Sequence, residues 1–163
     1  MRGVAARDFR RALGQFASGV TVVTTQNGRG EPLGLTVTAF SSLSLEPPLV
    51  LVCIDNHSET HEGFRASGRF GVSILAEDQD GWSRRFAVAG PEKFQSAPLI
   101  QSPGGLSLVP GALAHIECRV SSALPGGDHT IYVGEVTSLA VAEGRPLLHY
   151  RASYRRLEGG REV

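Results

Sequence analysis

The chain has 163 residues, 41% of them hydrophobic and 20% charged, and its 16 basic and 16 acidic side chains cancel. This length predicts a single domain, residues 1–163, with a substantial hydrophobic core. A formal net charge of zero argues against a nucleic-acid-binding surface and against attraction to an anionic membrane, so neither is expected as a partner.

Cysteine content and the N-terminal segment predict where the protein works. Cys53 and Cys118 both lie in apolar runs and form neither a disulfide framework nor a paired-cysteine metal site. Residues 1–16 carry charges throughout and lack the apolar centre of a signal peptide. Because no segment approaches the roughly 18 apolar residues of a membrane span, we expect a cytoplasmic protein.

The first predicted elements are a helix and a hairpin. Apolar side chains at Phe9, Leu13, Phe16 and Ala17 repeat with helical spacing, which predicts an amphipathic helix over residues 6–17. A β-branched run then predicts a strand, and an Asn-Gly turn leads into its return strand. These two strands are expected over residues 20–25 and 33–40.

The later elements are mostly strands joined by turns. The run over residues 49–54 is apolar at every position, which is typical of a strand buried on both faces. A small-hydroxyl corner is expected before it, over residues 41–46, and the Gly- and Pro-rich residues 88–110 are expected to be irregular. We further predict helices over 58–66 and 78–87, strands over 70–75, 112–124, 129–141, 147–150 and 154–157, and a frayed tail over 158–163.

Hydroxyl side chains are concentrated between Gly34 and His61. One interpretation is ordinary composition, because threonine suits strands and serine suits turns. The other is a phosphate site, because hydroxyls and free N–H groups at a helix N-terminus bind anions. The residues alone leave both interpretations open. The hydroxyls concerned are Thr36, Thr38, Ser41, Ser42, Ser44, Ser58 and Thr60.

Metal and nucleophile chemistry have weak support. His57 and His61 are four residues apart beside acidic side chains, but they do not form an HExxH motif and no third ligand is identifiable. We therefore predict no metal site. No GxSxG, GxGxxG or P-loop motif is present, and Cys53 belongs to a run expected to be buried. The chain carries no recognisable acid–base machinery.

The turn Gly126–His129 is the other unusual feature. A histidine at the start of a strand is either a hydrogen-bonded structural residue or a group that reaches a ligand between strand ends, and the sequence leaves both open. Gly134, in the middle of the following strand, predicts a bulge or the close approach of another backbone.

Five blocks of sequence resemble one known family. They read GVTVVTT, GLTVTAFSSLSLEPPLVLVCID, FGVSIL, SRRFA and GGDHTIYVGEV, and the resemblance extends around them to residues 9–154. In content and order they resemble the flavin reductase family, and especially the reductase components of two-component flavin monooxygenases. The resemblance implies a mainly β fold, a six-stranded antiparallel Greek-key split barrel with a few short flanking helices. It also implies a homodimer with flavin sites near the subunit interface.

The same resemblance implies roles for individual residues. His129 is the expected catalytic residue, placing the nicotinamide together with Asp128 and near Tyr154. Thr36, Val37 and Thr38 are expected along the flavin ring, and Cys53, Ile54 and Asp55 beside it through their backbone. Ser41 and Ser42 are expected at the ribityl and phosphate end, Ser58, Thr60 and Lys93 at the phosphate, and Phe86 near the flavin tail.

The implied activity is an NAD(P)H:flavin oxidoreductase that supplies reduced flavin to a separate monooxygenase. FMN or FAD would be the flavin, and NADH or NADPH the hydride donor. Two alternatives remain: a flavin-binding carrier or sensor without turnover, and a flavoenzyme acting on its own organic substrate. Ser73 departs from the family pattern, in which asparagine is common, and this leaves one local hydrogen bond open.

Overall fold

The computed structural model describes residues 3–159 and shows a mainly β chain with three α-helices. The helices are α1 (Ala6–Leu13), α2 (Glu59–Ser67) and α3 (Asp80–Phe86), and a 3₁₀ helix covers Pro91–Phe94. The strands are β1 (Ser18–Gly19), β2 (Thr21–Gln26), β3 (Pro32–Val37), β4 (Phe40–Leu45), β5 (Pro48–Asp55), β6 (Arg69–Ile74), β7 (Ile100–Gln101), β8 (Ser107–Leu108), β9 (Ala114–Gly126), β10 (His129–Val141), β11 (Leu148–Tyr150) and β12 (Ser153–Arg155).

Seven antiparallel strands form the main sheet, in the order β3-β2-β6-β9-β10-β5-β4. The hairpin of β9 and β10 has a two-residue turn, in which Gly127 takes φ +77°, a conformation that glycine adopts without strain. Two small sheets, β1-β11-β12 and β7-β8, lie outside the main one.

The strand β4 was not predicted, because its serines were interpreted as a turn. In the structure Phe40 pairs with Val52 and Ser42 pairs with Val50, so this segment is the edge strand next to β5. Serine side chains do not prevent backbone pairing, and the apolar partner strand supplies the template that local composition does not reveal.

The two edge strands of the main sheet, β3 and β4, are consecutive in the chain. Only Thr38 and Ala39 separate them, and the Ala39 carbonyl accepts a hydrogen bond from Cys53 N at 3.0 Å. Because two residues span only about 7 Å, the sheet must curve until its first and last strands come together. Thr38 and Ala39 therefore lie where the chain crosses from one edge to the other.

Two apolar clusters form the core. The larger contains side chains of the main sheet and α2, in which the rings of Phe64 and Tyr132 stack with centroids 4.5 Å apart. The smaller lies under α3 and includes Phe86. Helix α2 approaches the β2-β3 hairpin closely at Gly63, where an added Cβ would meet Thr25 Cγ2 at 2.6 Å. This contact fixes the position of the α2 N-terminus.

Several local predictions can be compared with the structure. Helix α1 ends at Leu13 instead of Ala17, and residues 88–110 contain the 3₁₀ helix and β7-β8 instead of being wholly irregular. Gly134 lies at a bulge, which confirms that alternative of the prediction. The close neighbour at this position is a side chain and not another backbone, because an added Cβ would meet Phe70 Cε1 at 2.6 Å. Of the predicted frayed tail, residues 158–159 have no regular structure, and residues 160–163 lie outside the described residues.

Ser73 resolves the hydrogen bond that the sequence left open. Its buried Oγ accepts from Val109 N at 3.0 Å and so links β6 to the segment after β8. Within residues 3–159 no helix is both long enough and apolar enough to cross a membrane.

Candidate functional site

An apolar groove of about 560 Å³ runs between α1, the β3-β4 crossing, β5 and the β11-β12 turn. Three residues of the predicted flavin site lie in its wall: Thr38, Ser41 and Cys53. We call this feature the apolar groove. Its lining residues are Arg10, Leu13, Gly14, Phe16, Ser18, Thr38, Ala39, Phe40, Ser41, Leu51, Cys53, His149, Arg151 and Ala152.

Strand β5 explains why one side of the groove is apolar. Its side chains alternate, with Val52 and Ile54 buried in the core while Leu51 and Cys53 face the groove. The prediction that this strand is buried on both faces is therefore wrong for the isolated chain, because the second apolar face lines an open groove. Partial burial raises the pKa of the Cys53 thiol, so it remains neutral at physiological pH.

A second cavity, of about 400 Å³, lies at the N-terminus of α2. It brings together three predicted residues, Ser58, Phe86 and Lys93, from α2, α3 and the 3₁₀ helix. We call it the α2 cavity. Its lining residues are Leu35, His57, Ser58, Glu59, Phe86, Ala87, Val88, Ala89 and Lys93.

Lys93 is the only lysine in the chain, and only 5% of its side chain is exposed. Its Nζ donates to Glu59 Oε1 at 2.9 Å and to the Val88 carbonyl at 3.1 Å. The same Glu59 oxygen accepts from Gly90 N at 3.0 Å. The hydrogen bond from Lys93, assisted by that from Gly90, holds the pKa of Glu59 below its usual range. The chain beyond α3 is thereby tied to the start of α2.

The first turn of α2 offers further groups that can bind an anion. Ser58 caps the helix, its Oγ accepting from Thr60 N at 3.2 Å. Thr60 is fully buried, and its Oγ1 has no hydrogen-bond partner among residues 3–159. A buried hydroxyl without a partner is costly. Thr60 follows the lining residues Ser58 and Glu59 in the chain but does not itself line the α2 cavity. The Ser58 hydroxyl and the α2 N-terminus fit a phosphate group.

The ends of β5 and β10 place the remaining predicted polar residues side by side. Asp55 and His129 are cross-strand partners, and His129 Nδ1 lies 2.7 Å from Asp128 Oδ1. Asp55 Oδ1 accepts from the backbone N–H of His57 at 2.8 Å. Hydrogen bonds with His57 and with His129 lower the pKa of Asp55 and of Asp128, respectively, so both are carboxylates at neutral pH. With 41% of its side chain exposed, His129 remains accessible to a ligand.

Some predicted residues have side chains engaged elsewhere. Thr36 Oγ1 donates to the Ser83 carbonyl at 2.6 Å, and Ser83 Oγ lies 2.8 Å from the Tyr154 hydroxyl. The Tyr154 ring lies behind the groove residue His149, with centroids 6.2 Å apart, and not in the groove lining. Val37 and Ile54 are core side chains, so only their backbone can face a ligand. Ser42 is exposed on β4 outside both lining sets.

The two histidines near α2 do not converge. His61 Nε2 lies 2.9 Å from Thr130 Oγ1, while His57 contacts Asp55. Across the residues that the structure describes, no group of three or more His, Cys, Asp and Glu side chains is arranged to hold a metal ion.

The sequence missed the groove residues contributed by distant segments. Arg10, Leu13 and Phe16 come from the N-terminal region, and His149 and Arg151 come from the β11-β12 hairpin. The apolar stripe of the predicted N-terminal helix was a signal for Leu13 and Phe16, and no sequence pattern pointed to His149 and Arg151. None of the residues of α1 is buried, and Phe9 and Phe16 are 58% and 78% exposed.

Comparison with known proteins gives the family. The flavin reductase like domain matches residues 13–158. A reductase subunit, HsaB, of a flavin-dependent monooxygenase from Rhodococcus jostii is 43% identical over 96% of this chain and 80% of its own length. An NADH-dependent flavin reductase from a Rhodococcus species is 44% identical over 92% of this chain and 85% of its own length.

A solved structure agrees with these matches. The NADH:FAD oxidoreductase SgcE6 of Streptomyces globisporus, in complex with NAD and FAD fragments, superposes with a TM-score of 0.91 at 34% identity. The match covers 99% of this chain and 100% of that one. The matches confirm the family and the class of enzyme, a flavin reductase, that the sequence blocks implied. The chain belongs to the flavin reductase family.

Proposed function

We propose that the protein is an NAD(P)H:flavin oxidoreductase that reduces FMN or FAD and releases the reduced flavin to a separate monooxygenase. The relatives named above as a monooxygenase reductase subunit and as an NADH-dependent flavin reductase support this activity. Their names favour NADH as the hydride donor.

One observation carries the proposal: the ends of β3 and β5 both run from the apolar groove to the α2 cavity. On β3, Leu35 lines the cavity and Thr38 lines the groove, a separation of about 10 Å along a strand. On β5 and the turn after it, Cys53 lines the groove and Ser58 lines the cavity. A molecule with a planar apolar ring, a short polar chain and a phosphate fits this sequence of surfaces.

At the phosphate end, Lys93 provides a positive charge and Ser58 a hydroxyl, while the α2 N-terminus offers free backbone N–H groups. Thr60, which follows the lining residues Ser58 and Glu59 in the chain, stays a proposed contact of the phosphate. Phe86 forms the apolar wall of the same cavity. Ser41 lines the apolar groove from β4, and we keep it and its neighbour Ser42 as the proposed contacts of the ribityl chain.

At the ring end, Thr38 and Cys53 contribute wall atoms, and Thr36, Val37, Ile54 and Asp55 contribute backbone. His129 and Asp128 lie at the end of β10 beside Asp55, where they can orient a nicotinamide against the ring. Tyr154 supports this region from behind His149.

The bound cofactors supply hydride transfer from the nicotinamide to the flavin, so the protein needs no acid–base pair at the reacting atoms. The apolar walls of the groove would shield bound rings from water, and the strands would hold them in the near-attack arrangement that accelerates such a transfer. This accounts for a wall at the ring end that consists mostly of apolar, backbone and hydroxyl groups.

The proposal includes the finer architecture. If β3 and β4 are counted as one strand bent at Thr38-Ala39, the main sheet becomes a closed six-stranded Greek-key split barrel. We also propose that residues 1–163 act as one domain and that the protein works in the cytoplasm.

The active form is proposed to be a homodimer. Phe9, Leu13 and Phe16 form an exposed apolar stripe along α1 and the residues after it, beside the groove. Contiguous exposed apolar surface of this kind marks an interaction site, and a second copy of the chain is the proposed occupant. This would bury the stripe and complete one wall of the flavin site.

The test is to mix the protein with excess FMN or FAD and with NADH or NADPH, and to follow loss of the nicotinamide absorbance. Flavin-dependent oxidation is expected, and no turnover with any of the four combinations would contradict the proposal. A carrier or sensor would bind flavin tightly and leave NADH unoxidised. A flavoenzyme with its own substrate would retain its flavin, so transfer of reduced flavin to an added oxygenase through a dialysis membrane separates it from a reductase.

A further inference from the structure

The α2 cavity holds a cation and a carboxylate in direct contact. Lys93 donates to Glu59 Oε1 at 2.9 Å, so the positive charge offered to a phosphate is already paired. Glu59 also belongs to the cavity lining. A phosphate bound by Lys93 must therefore exchange places with the Glu59 carboxylate or bind beside it.

Glu59 also occupies a particular place along the chain. It is the first residue of α2, between the cap Ser58 and the buried Thr60. A carboxylate here already interacts with the positive end of the helix dipole. The groups proposed to attract phosphate thus all lie next to one fixed negative charge.

We infer that Glu59 determines flavin specificity by disfavouring a terminal phosphate more than an internal one. This inference rests on the proposed flavin-binding function. A terminal phosphate monoester, as in FMN, carries about −1.5 to −2 charges at pH 7, because its second pKa is near 6. The ribityl phosphate of FAD lies within a pyrophosphate and carries one. FAD carries its second charge on the other phosphate of the pyrophosphate, farther from Glu59. Because Coulomb repulsion falls with distance, FMN is disfavoured more strongly than FAD.

The variant Glu59→Gln tests this directly. The glutamine oxygen can still accept from Gly90 N and Lys93 Nζ, so the tie between α2 and the chain beyond α3 is kept while the charge is removed. We expect the Kd for FMN to fall about tenfold and the Kd for FAD about threefold, measured by fluorescence quenching at low salt. Riboflavin, which has no phosphate, should bind equally to both proteins.

Glu62→Gln is the matched control. Glu62 lies on the same helix, is exposed, and is absent from the lining of the cavity. Its replacement removes the same charge from the protein, and it should change all three dissociation constants by less than about twofold. If Glu59→Gln does not fold, Glu59→Ser removes the same charge, and the FMN-to-FAD ratio of dissociation constants is still the quantity compared.

The single lysine provides a second measurement. Protein labelled with ¹³C at the lysine ε-carbon should give one such NMR signal, that of Lys93. We expect FMN to shift this signal by replacing the Glu59 carboxylate, and riboflavin to leave it close to its original position.

The outcomes separate the inference from the function beneath it. An unchanged ratio of the FMN and FAD dissociation constants in Glu59→Gln, or weaker FMN binding, would overturn the inference. The proposed function would stand in that case if the wild-type protein still turned over flavin and nicotinamide. Failure of the wild-type protein to bind any of the three flavins would overturn the proposed function, and this inference with it.

Discussion

The apolar groove and the α2 cavity lie at the two ends of the same strand segments. They differ in whether the groups that line them already have partners within the chain. In the cavity, Lys93, Glu59 and Gly90 already have hydrogen-bond partners within the chain. In the groove, Leu13 and Phe16 expose apolar surface that nothing in the described chain covers. The charged groups of the α2 cavity are therefore paired with each other, whereas the apolar surface of the groove is exposed.

Because of this difference, we expect the apolar groove and the α2 cavity to contribute differently to ligand binding. Burying apolar surface in the groove gives a net gain, about 25 cal/mol per Å². In the cavity, a ligand exchanges one set of hydrogen bonds for another, so the net gain per bond is small, about 0.5–1.5 kcal/mol. We therefore expect the groove to supply most of the affinity for ring and partner, and the cavity to supply discrimination between flavins.

The largest expected effect comes from placing charged side chains in the apolar groove. Replacing both Leu13 and Phe16 with aspartate should weaken the homodimer more than about a hundredfold, because each buried side chain contributes about 1.5–3 kcal/mol. Sedimentation equilibrium should show a monomer at concentrations where the wild type is a dimer. Arg7→Asp is the control, since its side chain is 90% exposed and should leave the mass unchanged. A wild-type monomer would contradict the dimer proposal.

Removing the Lys93 cation from the α2 cavity should have the next largest effect. Lys93→Met takes away the only lysine and leaves Glu59 without its partner. Hydrogen bonds to charged groups contribute about 1.5–3 kcal/mol, so we expect the Kd for FMN to rise about 10- to 100-fold. Riboflavin titrations under the same conditions should show no change. Equal weakening for both ligands would mean that Lys93 supports the fold of the cavity and not the phosphate.

His129→Ala tests the residue that lies beside Asp55, between the apolar groove and the α2 cavity. We expect kcat/KM for the nicotinamide to fall about tenfold, because His129 positions that substrate, while flavin affinity stays constant. Stopped-flow reduction of bound flavin and a separate flavin titration measure the two quantities. Loss of flavin binding with unchanged kinetics at saturation would move His129 to the flavin site.

The smallest expected effect is a pH dependence of the free energy of unfolding, caused by Glu59 in the α2 cavity. The pKa of Glu59 is lower in the folded chain than its ordinary value of 4.5, so its stabilising contribution is present above that pH. It is lost as the pH falls below 4.5, toward the lower folded value. Because 41% of the Glu59 side chain is exposed, we expect less than about 1 kcal/mol. Denaturation of wild type and Glu59→Gln should converge below this pH, and a constant difference down to pH 3 would exclude the mechanism.

Prediction from the sequence succeeded where the signal was local. The β-branched run of β2 and the glycine turn between β9 and β10 have short-range causes, and both elements formed close to the expected positions. Prediction failed at β4, where only pairing with β5 makes a strand of a serine-rich segment. The helix α1 was predicted, but it ends at Leu13 instead of Ala17, and its apolar stripe did not show which surface it would line.

The sequence by itself determined the antiparallel β character, the family through its ordered blocks, and the residue types of the proposed flavin site. Only the tertiary structure decided which of those residues share a surface. Glu59 and Lys93 are 34 positions apart, and Thr36 and Ser83 are 47 apart, yet each pair is hydrogen-bonded. Such contacts arise when the curved sheet brings distant segments together, and no local pattern of residues encodes them.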